Sequence, residues 1–171
     1  LCDPFGGRED LARGVVRAVG EPLRRFGEDA LRILRLYRFA ARFGFAIDEA
    51  TEAAAKQLAS HLDCVSAERI EEELNKLLAA PQPGAYLEPE VLAFVLPELP
   101  PEELTKARRR IDALPAGTEQ VSARWAALLL PLGEAGARKA LKRLKCSNAR
   151  IDGAAALVRE CGEKTPDALD K

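Results

Sequence analysis

The sequence of 171 residues has no methionine, a single histidine (His61) and few aromatic residues, which make up 5%. No apolar run approaches the roughly 18 residues that a membrane span needs, and no signal peptide opens the chain. The sequence therefore indicates a protein without a membrane partner. Because the first residue is Leu1 rather than methionine, we expect a fragment whose natural start lies upstream.

The cysteines include no CxxC pair and lie far apart in the sequence, at Cys2, Cys64, Cys146 and Cys161. A zinc site would need distant cysteines to converge on the one histidine. The pattern instead favours four reduced, mostly buried thiols in a cytoplasmic protein, with no metal site.

The net charge of -1 hides a strong asymmetry along the chain. Residues 1–45 have nine Lys/Arg against six Asp/Glu, and residues 46–104 have three against thirteen. Residues 105–150 have eleven against three. Two basic regions thus flank an acidic one, and they can hold a polyanionic partner although the whole chain is not basic.

Apolar residues recur at helical spacing in nearly every segment, which predicts an all-α fold. The predicted helices cover about 9–19, 28–43, 48–60, 66–80, 90–96, 102–113, 121–130, 134–145 and 148–161. Gly44 is expected to end the second helix, and Asp48 and Ser66 to cap the next two. Trp125 begins an apolar run and is predicted to be core. The Pro/Gly-rich stretch 81–89 is the best internal boundary.

Asp29 and Arg32 are about 60° apart on the predicted helix 28–43, so their side chains are expected to meet on one face. Cytosine and adenine each present an exocyclic amine beside an unprotonated ring nitrogen, whereas uracil and guanine present a carbonyl beside a ring N–H. A carboxylate acceptor next to a guanidinium donor would accept C and A and leave U and G mismatched. The same spacing also fits an ordinary surface salt bridge.

A series of motifs in residues 3–80 closely resembles the class II tRNA nucleotidyltransferases, the bacterial and eukaryotic CCA-adding enzymes, with bacterial poly(A) polymerases as close relatives. The motifs are Asp3-Pro4-Phe5-Gly6-Gly7-Arg8-Glu9-Asp10-Leu11, Arg17-Ala18-Val19-Gly20, Arg25-Phe26-Gly27-Glu28-Asp29-Ala30-Leu31-Arg32-Ile33-Leu34-Arg35, Arg38-Phe39-Ala40-Ala41 and Gly44-Phe45. The resemblance implies an all-α fold of neck, body and tail helices. Residues 1–27 would end the head and form the head–neck hinge with the first helix, 28–80 the nucleotide-selecting neck, and 81–171 the tRNA-holding body and tail.

The resemblance also implies roles for individual residues. Asp29 and Arg32 match the EDxxR motif, whose Asp and Arg pair with the base of incoming CTP or ATP, while Glu28 and Arg35 would support them. Arg69 and Glu73 match the RxxxE motif, which braces the nucleotide-binding helix, and their spacing of four predicts a pair along one helix face. The hinge between nucleotide states would contain Asp3, Gly6, Gly7 and Asp10.

The family's catalytic head supplies a DxD pair that binds Mg²⁺ for phosphoryl transfer. This chain contains no DxD. We therefore expect the parent enzyme to use Mg²⁺ and this fragment, which would hold no cofactor, to be inactive alone.

Clusters of basic residues are candidates for contact with tRNA phosphates. The long helix has a stripe of arginines, Arg32, Arg35, Arg38 and Arg42. They would lie near the triphosphate and the tRNA acceptor end, or pair with Glu68, Glu71 or Glu72. Two later runs are Lys106, Arg108, Arg109 and Arg110, and Arg138, Lys139, Lys142, Arg143 and Lys145. Such runs either contact phosphates, which fixes position rather than sequence, or form solvated surface.

Several activities remain open within this interpretation. The leading hypothesis is the neck, body and tail of an enzyme that completes the CCA end of tRNA. The alternatives are a poly(A) polymerase, a CC-adding or an A-adding enzyme of the same family, and a stand-alone helical RNA-binding module. Poly(A) polymerases of this group tend to have Pro-Val after Glu-Asp, whereas Ala30-Leu31 follows here, which favours tRNA.

Overall fold

The computed structural model describes residues 3–163, which form ten α-helices and two short β-strands joined by 3₁₀ turns. The first half contains α1 (Gly7–Arg13), β1 (Val15–Val16), α2 (Pro22–Glu28), α3 (Leu31–Phe43), β2 (Ala46–Ile47), α4 (Glu49–Gln57) and α5 (Ala67–Leu78). The second half contains α6 (Pro89–Val95), α7 (Leu104–Asp112), α8 (Val121–Leu129), α9 (Gly133–Arg143) and α10 (Asn148–Glu163). The predicted all-α class is confirmed, with a four-residue exception.

That exception is a parallel ladder near the start of the described chain, in which β1 pairs with β2. The predicted helix 9–19 is too long, because α1 already ends at Arg13 and Gly14 is its C-cap. Gly14 has φ 67°, a conformation that favours glycine, and a Cβ there would meet the Phe45 ring at 3.5 Å. The two β-branched valines that follow then form a strand.

The segment before α3 contains a helix that the sequence interpretation missed. Pro22 is its first residue, and the Glu21 carboxylate accepts hydrogen bonds from the Leu23 and Arg24 amides at 3.1 and 2.6 Å. A proline whose N–H is not needed and a capping carboxylate start a helix well. The following helix, α3, ends at Gly44 as predicted but begins at Leu31 instead of residue 28.

The next two helices follow the predicted pattern. Asp48 caps α4 by accepting from the Thr51 amide at 3.1 Å. Ser66 precedes α5 as predicted, although its side chain makes no capping hydrogen bond. The apolar face of α5 is buried through Ile70, Leu74, Leu77 and Leu78, and α5 packs against α3. This packing sets the geometry of the candidate site.

The helices of the second half begin and end within a few residues of the predicted positions. Trp125 is fully buried, as predicted, and its ring N–H donates to Asn75 Oδ1 at 2.8 Å. The expectation of mostly buried thiols is wrong for two of the three described cysteines, because Cys64 and Cys161 are exposed and only Cys146 is buried. Cys2 lies outside the described residues.

The stretch 81–89, predicted as a boundary, packs closely against the second half. Gly84 is buried, and its amide donates to Asp112 Oδ1 at 2.8 Å. A Cβ at Gly84 would collide with the Asp112 carboxylate, so the approach needs glycine. One hydrophobic cluster includes residues of α3 to α5 as well as residues of α6 to α10.

Candidate functional site

Asp29 lies in a break between α2 and α3. Its backbone is extended (φ −155°, ψ 102°), its Oδ1 accepts from the Leu31 amide at 3.2 Å, and its carbonyl accepts from the Arg32 amide at 3.1 Å. Asp29 therefore ends one helix and caps the next. The helical-face argument for Asp29 and Arg32 is wrong in its geometry, since a cap and not a shared helix brings the two residues within one turn.

Arg69 of α5 holds the Asp29 side chain from the other side. Arg69 Nη2 donates to Asp29 Oδ2 at 2.9 Å. Although partial burial raises the pKa of the Asp29 carboxyl, the hydrogen bonds from Arg69 and the Leu31 amide outweigh it, and the pKa lies below its usual value. Asp29 is thus a fixed, ionised hydrogen-bond acceptor.

Glu73, also on α5, is a nearly buried carboxylate, with 3% of its side chain exposed. It pairs with Arg35 Nε at 3.3 Å and with Arg38 Nε at 2.7 Å, both on α3. The predicted pair between Arg69 and Glu73 along one helix face is therefore wrong, because each residue reaches across to the opposite segment. The bracing role of both residues stays a prediction.

The arginine stripe on α3 divides into paired and accessible members. Arg35 and Arg38 pair with Glu73, and not with the predicted partners Glu68, Glu71 or Glu72. The Arg38 guanidinium also lies 3.9 Å from the centre of the Phe39 ring. The carboxylate oxygen nearest to the Arg32 guanidinium, on Glu28, is as far away as 4.0 Å, and the Arg32 side chain remains one-third exposed. Arg32 is therefore free to donate elsewhere.

A cavity of about 290 Å³ opens beside α3. Four arginines line it, Arg17, Arg25, Arg32 and Arg35, together with apolar side chains that include Phe39 and Val19. Cationic groups together with an aromatic ring suit an anion joined to a planar base. Asp29 does not line this cavity, although Phe26 and Arg32, three residues before and three residues after it, do.

The second basic run is mostly engaged within the protein. Its arginines pair with carboxylates, Arg138 with Asp152 at 2.7 Å and Arg143 with Glu98 at 2.6 Å. Lys145 pairs with Glu68 at 2.6 Å. Only two members are exposed and have no carboxylate of residues 3–163 within ion-pair distance, Lys139 and Lys142.

The first basic run is used in the same way. Arg108 and Arg110 donate to the backbone carbonyls of Leu87 and Ala127, at 2.6 and 3.0 Å. Lys106 pairs with Glu103 at 3.2 Å. Arg109 is the exposed member of this run without such a contact in the described part of the chain.

Comparisons with known proteins show the family to which this chain belongs. The family described as "Probable RNA and SrmB-binding site of polymerase A" matches residues 44–101. The CCA-adding enzyme of Geobacillus stearothermophilus is 39% identical over 165 residues, which are 92% of this chain and 40% of that protein. The crystal structure of the Bacillus stearothermophilus CCA-adding enzyme in complex with CTP is similar over 95% of this chain and 42% of that one, at 35% identity and a TM-score of 0.77. The chain belongs to the class II CCA-adding enzyme family.

Two further relatives extend the match. The "Multifunctional CCA protein" of Laribacter hongkongensis is 44% identical over 105 residues, or 58% of this chain and 25% of that protein. A CCA-adding enzyme solved with ATP shares 25% identity at a TM-score of 0.64, over 88% of this chain and 39% of that one. This chain spans about two fifths of the length of the relative and the structure first compared, and corresponds to the C-terminal region of the family.

The loop that resembles the family's head–neck hinge is held by Asp3. Its two carboxylate oxygens accept hydrogen bonds from the Gly7 and Arg8 amides at 3.0 and 2.8 Å. Both bonds lower the pKa of Asp3, and the bond from the Arg8 amide has the larger effect. Gly6 has φ 70°, in the left-handed region. Asp10 pairs with Arg17 at 3.0 Å. These contacts connect the loop to α1 and to the segment after it, and the hinge role stays a prediction.

The sequence interpretation did not assign Arg25 and Phe39 to the candidate site of this family member, although both line its cavity. The sequence Glu21-Pro22 could have predicted the start of α2, because a capping carboxylate followed by proline is typical of a helix start. That start places Arg25 in the last turn of α2.

Within residues 3–163, no group of three or more His, Cys, Asp or Glu side chains is arranged to hold a metal ion. In the same range, no helix is long and apolar enough to span a membrane.

Proposed function

We propose that the chain selects CTP and ATP, and holds tRNA, in a template-independent tRNA nucleotidyltransferase that adds C and A to the tRNA 3′ end in the cytoplasm. The observation that carries the proposal is the Asp29 carboxylate, fixed by Arg69 and the Leu31 amide at the start of α3, one turn from the accessible Arg32. Similarity to CCA-adding enzymes solved with CTP and with ATP supports the choice of nucleotides.

Selection follows from hydrogen-bond direction. An ionised Asp29 only accepts hydrogen bonds, and Arg32 only donates them. The exocyclic amine of C or A therefore donates to Asp29, while the adjacent ring nitrogen accepts from Arg32. U and G would place a carbonyl against the carboxylate and an N–H against the guanidinium. Each such mismatch costs roughly 1–3 kcal/mol when water is excluded.

The Asp29→Asn and Arg32→Gln variants of the full-length polypeptide test this proposal. Asparagine still caps a helix well, so Asp29→Asn changes the hydrogen-bonding group while α3 keeps its start. We expect the preference for CTP and ATP over UTP and GTP to fall by about tenfold or more in each variant, measured as single-nucleotide addition. Arg24→Gln is the matched control, because Arg24 is 80% exposed and does not line the cavity. Unchanged selectivity in both variants would remove the assignment.

We assign tRNA holding to Lys139 and Lys142, whose charges are not neutralised by a carboxylate of the described residues. Reversal of both to glutamate should weaken tRNA binding and flatten its salt dependence, because each phosphate contact releases counterions. Arg143→Gln is the control, since Glu98 already pairs with Arg143. If the double reversal and the control bind alike at every salt concentration, the run is only solvated surface.

Catalysis in this proposal belongs to carboxylates outside this sequence, because phosphoryl transfer needs bound Mg²⁺ and the sequence has no DxD pair. The chain alone should therefore add no nucleotide to tRNA in the presence of Mg²⁺. Addition by the isolated chain would refute this part.

Poly(A) addition is the second candidate, because the family match at residues 44–101 is described for polymerase A. Product length on tRNA lacking its CCA end distinguishes the two activities. A product that stops at CCA supports the tRNA enzyme, whereas an extended A tract on unstructured RNA supports the polymerase.

A further inference from the structure

A second cavity, of about 500 Å³, lies next to the cavity beside α3. Four of the six phenylalanines of the chain line it, Phe5, Phe39, Phe43 and Phe45. The two cavities share Phe39 and residues 16–19 in their linings. Because the same residues border both cavities, a ligand bound in one would be the neighbour of a ligand bound in the other.

Two of these rings form an accessible aromatic face at the end of α3. Phe39 and Phe43 are four residues apart and therefore lie on the same side of the helix. Their ring planes are parallel within 1°, with centroids 6.3 Å apart, and their exposed fractions are 40% and 54%. The Phe45 ring continues the set, 5.6 Å from the Phe43 ring. Accessible rings one helical turn apart offer a stacking surface for successive planar groups.

Each of the two rings has a guanidinium group near it. Arg38 lies 3.9 Å from the centre of the Phe39 ring, and Arg42 lies 6.0 Å from the centre of the Phe43 ring. Glu73 balances the charge of Arg38. Arg42 is exposed, and no carboxylate of residues 3–163 lies within ion-pair distance of it. Arg42 therefore adds an accessible positive charge to the edge of the aromatic face.

This combination favours single-stranded nucleic acid as the ligand. Bases stack on aromatic rings while arginine pairs with the phosphates that join them. Asp10, which also lines the cavity, pairs with Arg17 at 3.0 Å, so its charge is balanced and does not repel a polyanion. The family match at residues 44–101, whose description names RNA, begins directly after Phe43 and includes Phe45.

We propose that the face of Phe39, Phe43 and Arg42 binds the unpaired 3′ end of the RNA that the enzyme extends, with bases stacked on the two rings and a phosphate on Arg42. This inference rests on the proposed function, because strand extension requires the RNA end to lie next to the incoming nucleotide. The cavity lined by Phe39 and Phe43 has this position relative to the cavity beside α3. The rings position the RNA by stacking, which tolerates any base, whereas Asp29 and Arg32 select the nucleotide.

Fluorescence anisotropy with short probes tests this binding in the absence of any nucleotide. The first probe is a fluorescein-labelled single-stranded RNA of about six nucleotides, and the second is the sugar-phosphate chain of the same length without bases. Both probes have the same number of phosphates, so the difference between them measures the contribution of the bases. We expect the chain to bind the first probe at least about tenfold more tightly than the second.

Variants of the chain separate stacking from charge. Phe39→Leu and Phe43→Leu keep an apolar side chain without a ring, so each should weaken binding of the RNA probe by about fivefold or more and leave the probe without bases unaffected. Arg42→Gln should weaken both probes and reduce the salt dependence by about one phosphate contact. The matched controls are Phe94→Leu, at an exposed ring of α6, and Arg24→Gln. Neither residue lines either cavity, and both variants should bind like the unchanged chain.

Three results would overturn the proposal. The first is equal binding of the two probes by the unchanged chain, and the second is equal binding of the RNA probe by both leucine variants and the unchanged chain. The third is that Phe43→Ser lowers the unfolding midpoint of the full-length polypeptide but not that of the chain, because another part of the polypeptide would then cover the rings. Circular dichroism identifies a variant that fails to fold, and the other leucine variant still decides the outcome.

The test is separate from the test of nucleotide selection. If Asp29→Asn loses the preference for CTP and ATP while both leucine variants bind RNA like the unchanged chain, only the stacking surface is refuted. If the leucine variants lose RNA binding while Asp29→Asn and Arg32→Gln keep their selectivity, the stacking surface is supported and only the selection is refuted.

Discussion

In the first half of the chain, Arg35, Arg38 and Arg69 reach carboxylates across the contact between α3 and α5, whereas in the second half Arg108, Arg110 and Arg124 reach backbone carbonyls. The first arrangement leaves guanidinium groups beside a cavity and balances their charge. The second uses guanidinium groups to satisfy carbonyls at helix ends and turns. Arginines that look alike in the sequence therefore have different roles, and the groups that accept their hydrogen bonds in the fold distinguish these roles.

Arg124 is the extreme case of the second arrangement, since its side chain is fully buried. It donates to the carbonyls of Leu78, Ala80, Pro81 and Leu114, and so joins the end of α5 to the turn after α7. No carboxylate of the described residues pairs with it. Its contribution is therefore structural.

The largest expected effect in this comparison is that of Arg124→Met. The variant leaves buried carbonyls without donors, at roughly 1–3 kcal/mol each, so we expect a loss of at least about 3 kcal/mol in the free energy of unfolding. Urea unfolding followed by circular dichroism measures it. Arg109→Met, at an exposed position in the same half, should change stability by less than about 0.5 kcal/mol. A loss no larger than the control's would show that the carbonyls find other donors.

The next effect is that of Glu73→Gln, which tests the carboxylate arrangement. Removal of the buried charge leaves Arg35 and Arg38 without the carboxylate that compensates both, and we expect the free energy of unfolding to fall by about 2 kcal/mol. Glu72→Gln is the matched control, because Glu72 is 64% exposed and its pair with Lys76 contributes little. Equal unfolding midpoints for the two variants would contradict the bracing role of Glu73.

The smallest effect is that of Arg69→Met, which removes the clamp on Asp29. The folded pKa of Asp29 is depressed, so its pairing stabilises the protein above the usual value of 3.8 and this contribution is lost as pH falls through the folded value. Because Arg69 is half exposed, we expect less than about 1 kcal/mol near neutral pH. The difference between the variant and the unchanged chain should shrink below pH 3.8. A difference that is constant with pH would indicate lost packing instead.

Much of the fold could be predicted because its signals are local. Gly44 ends α3, Asp48 caps α4, and the apolar spacing of α5 and α8 identifies their buried faces. Such features depend on residues a few positions apart, which the sequence displays directly. The same holds for the burial of Trp125.

The geometry of the candidate site could be predicted only in part. Glu28-Asp29-Ala30-Leu31 has no glycine or proline and fits an uninterrupted helix. The helix is nevertheless interrupted at Asp29, whose side chain binds Arg69, forty residues away in the sequence. In the same way, Arg69 and Glu73 do not pair with each other as their spacing predicts, but form ion pairs with Asp29 and Arg38, which are distant in the sequence. The motif identified the residues, but tertiary contacts decide which of them meet.

The short ladder of β1 and β2 has a consequence for folding kinetics. It joins positions about thirty residues apart, and through the Ala46 and Asp48 amides it closes a loop that contains α2 and α3. Closing such a loop costs entropy before the ladder returns any hydrogen-bond energy, so we expect the ladder to form after the helices it encloses. We also expect it to open before them, so the Ala46 and Asp48 amides should exchange their hydrogens earlier than the amides of α2 and α3.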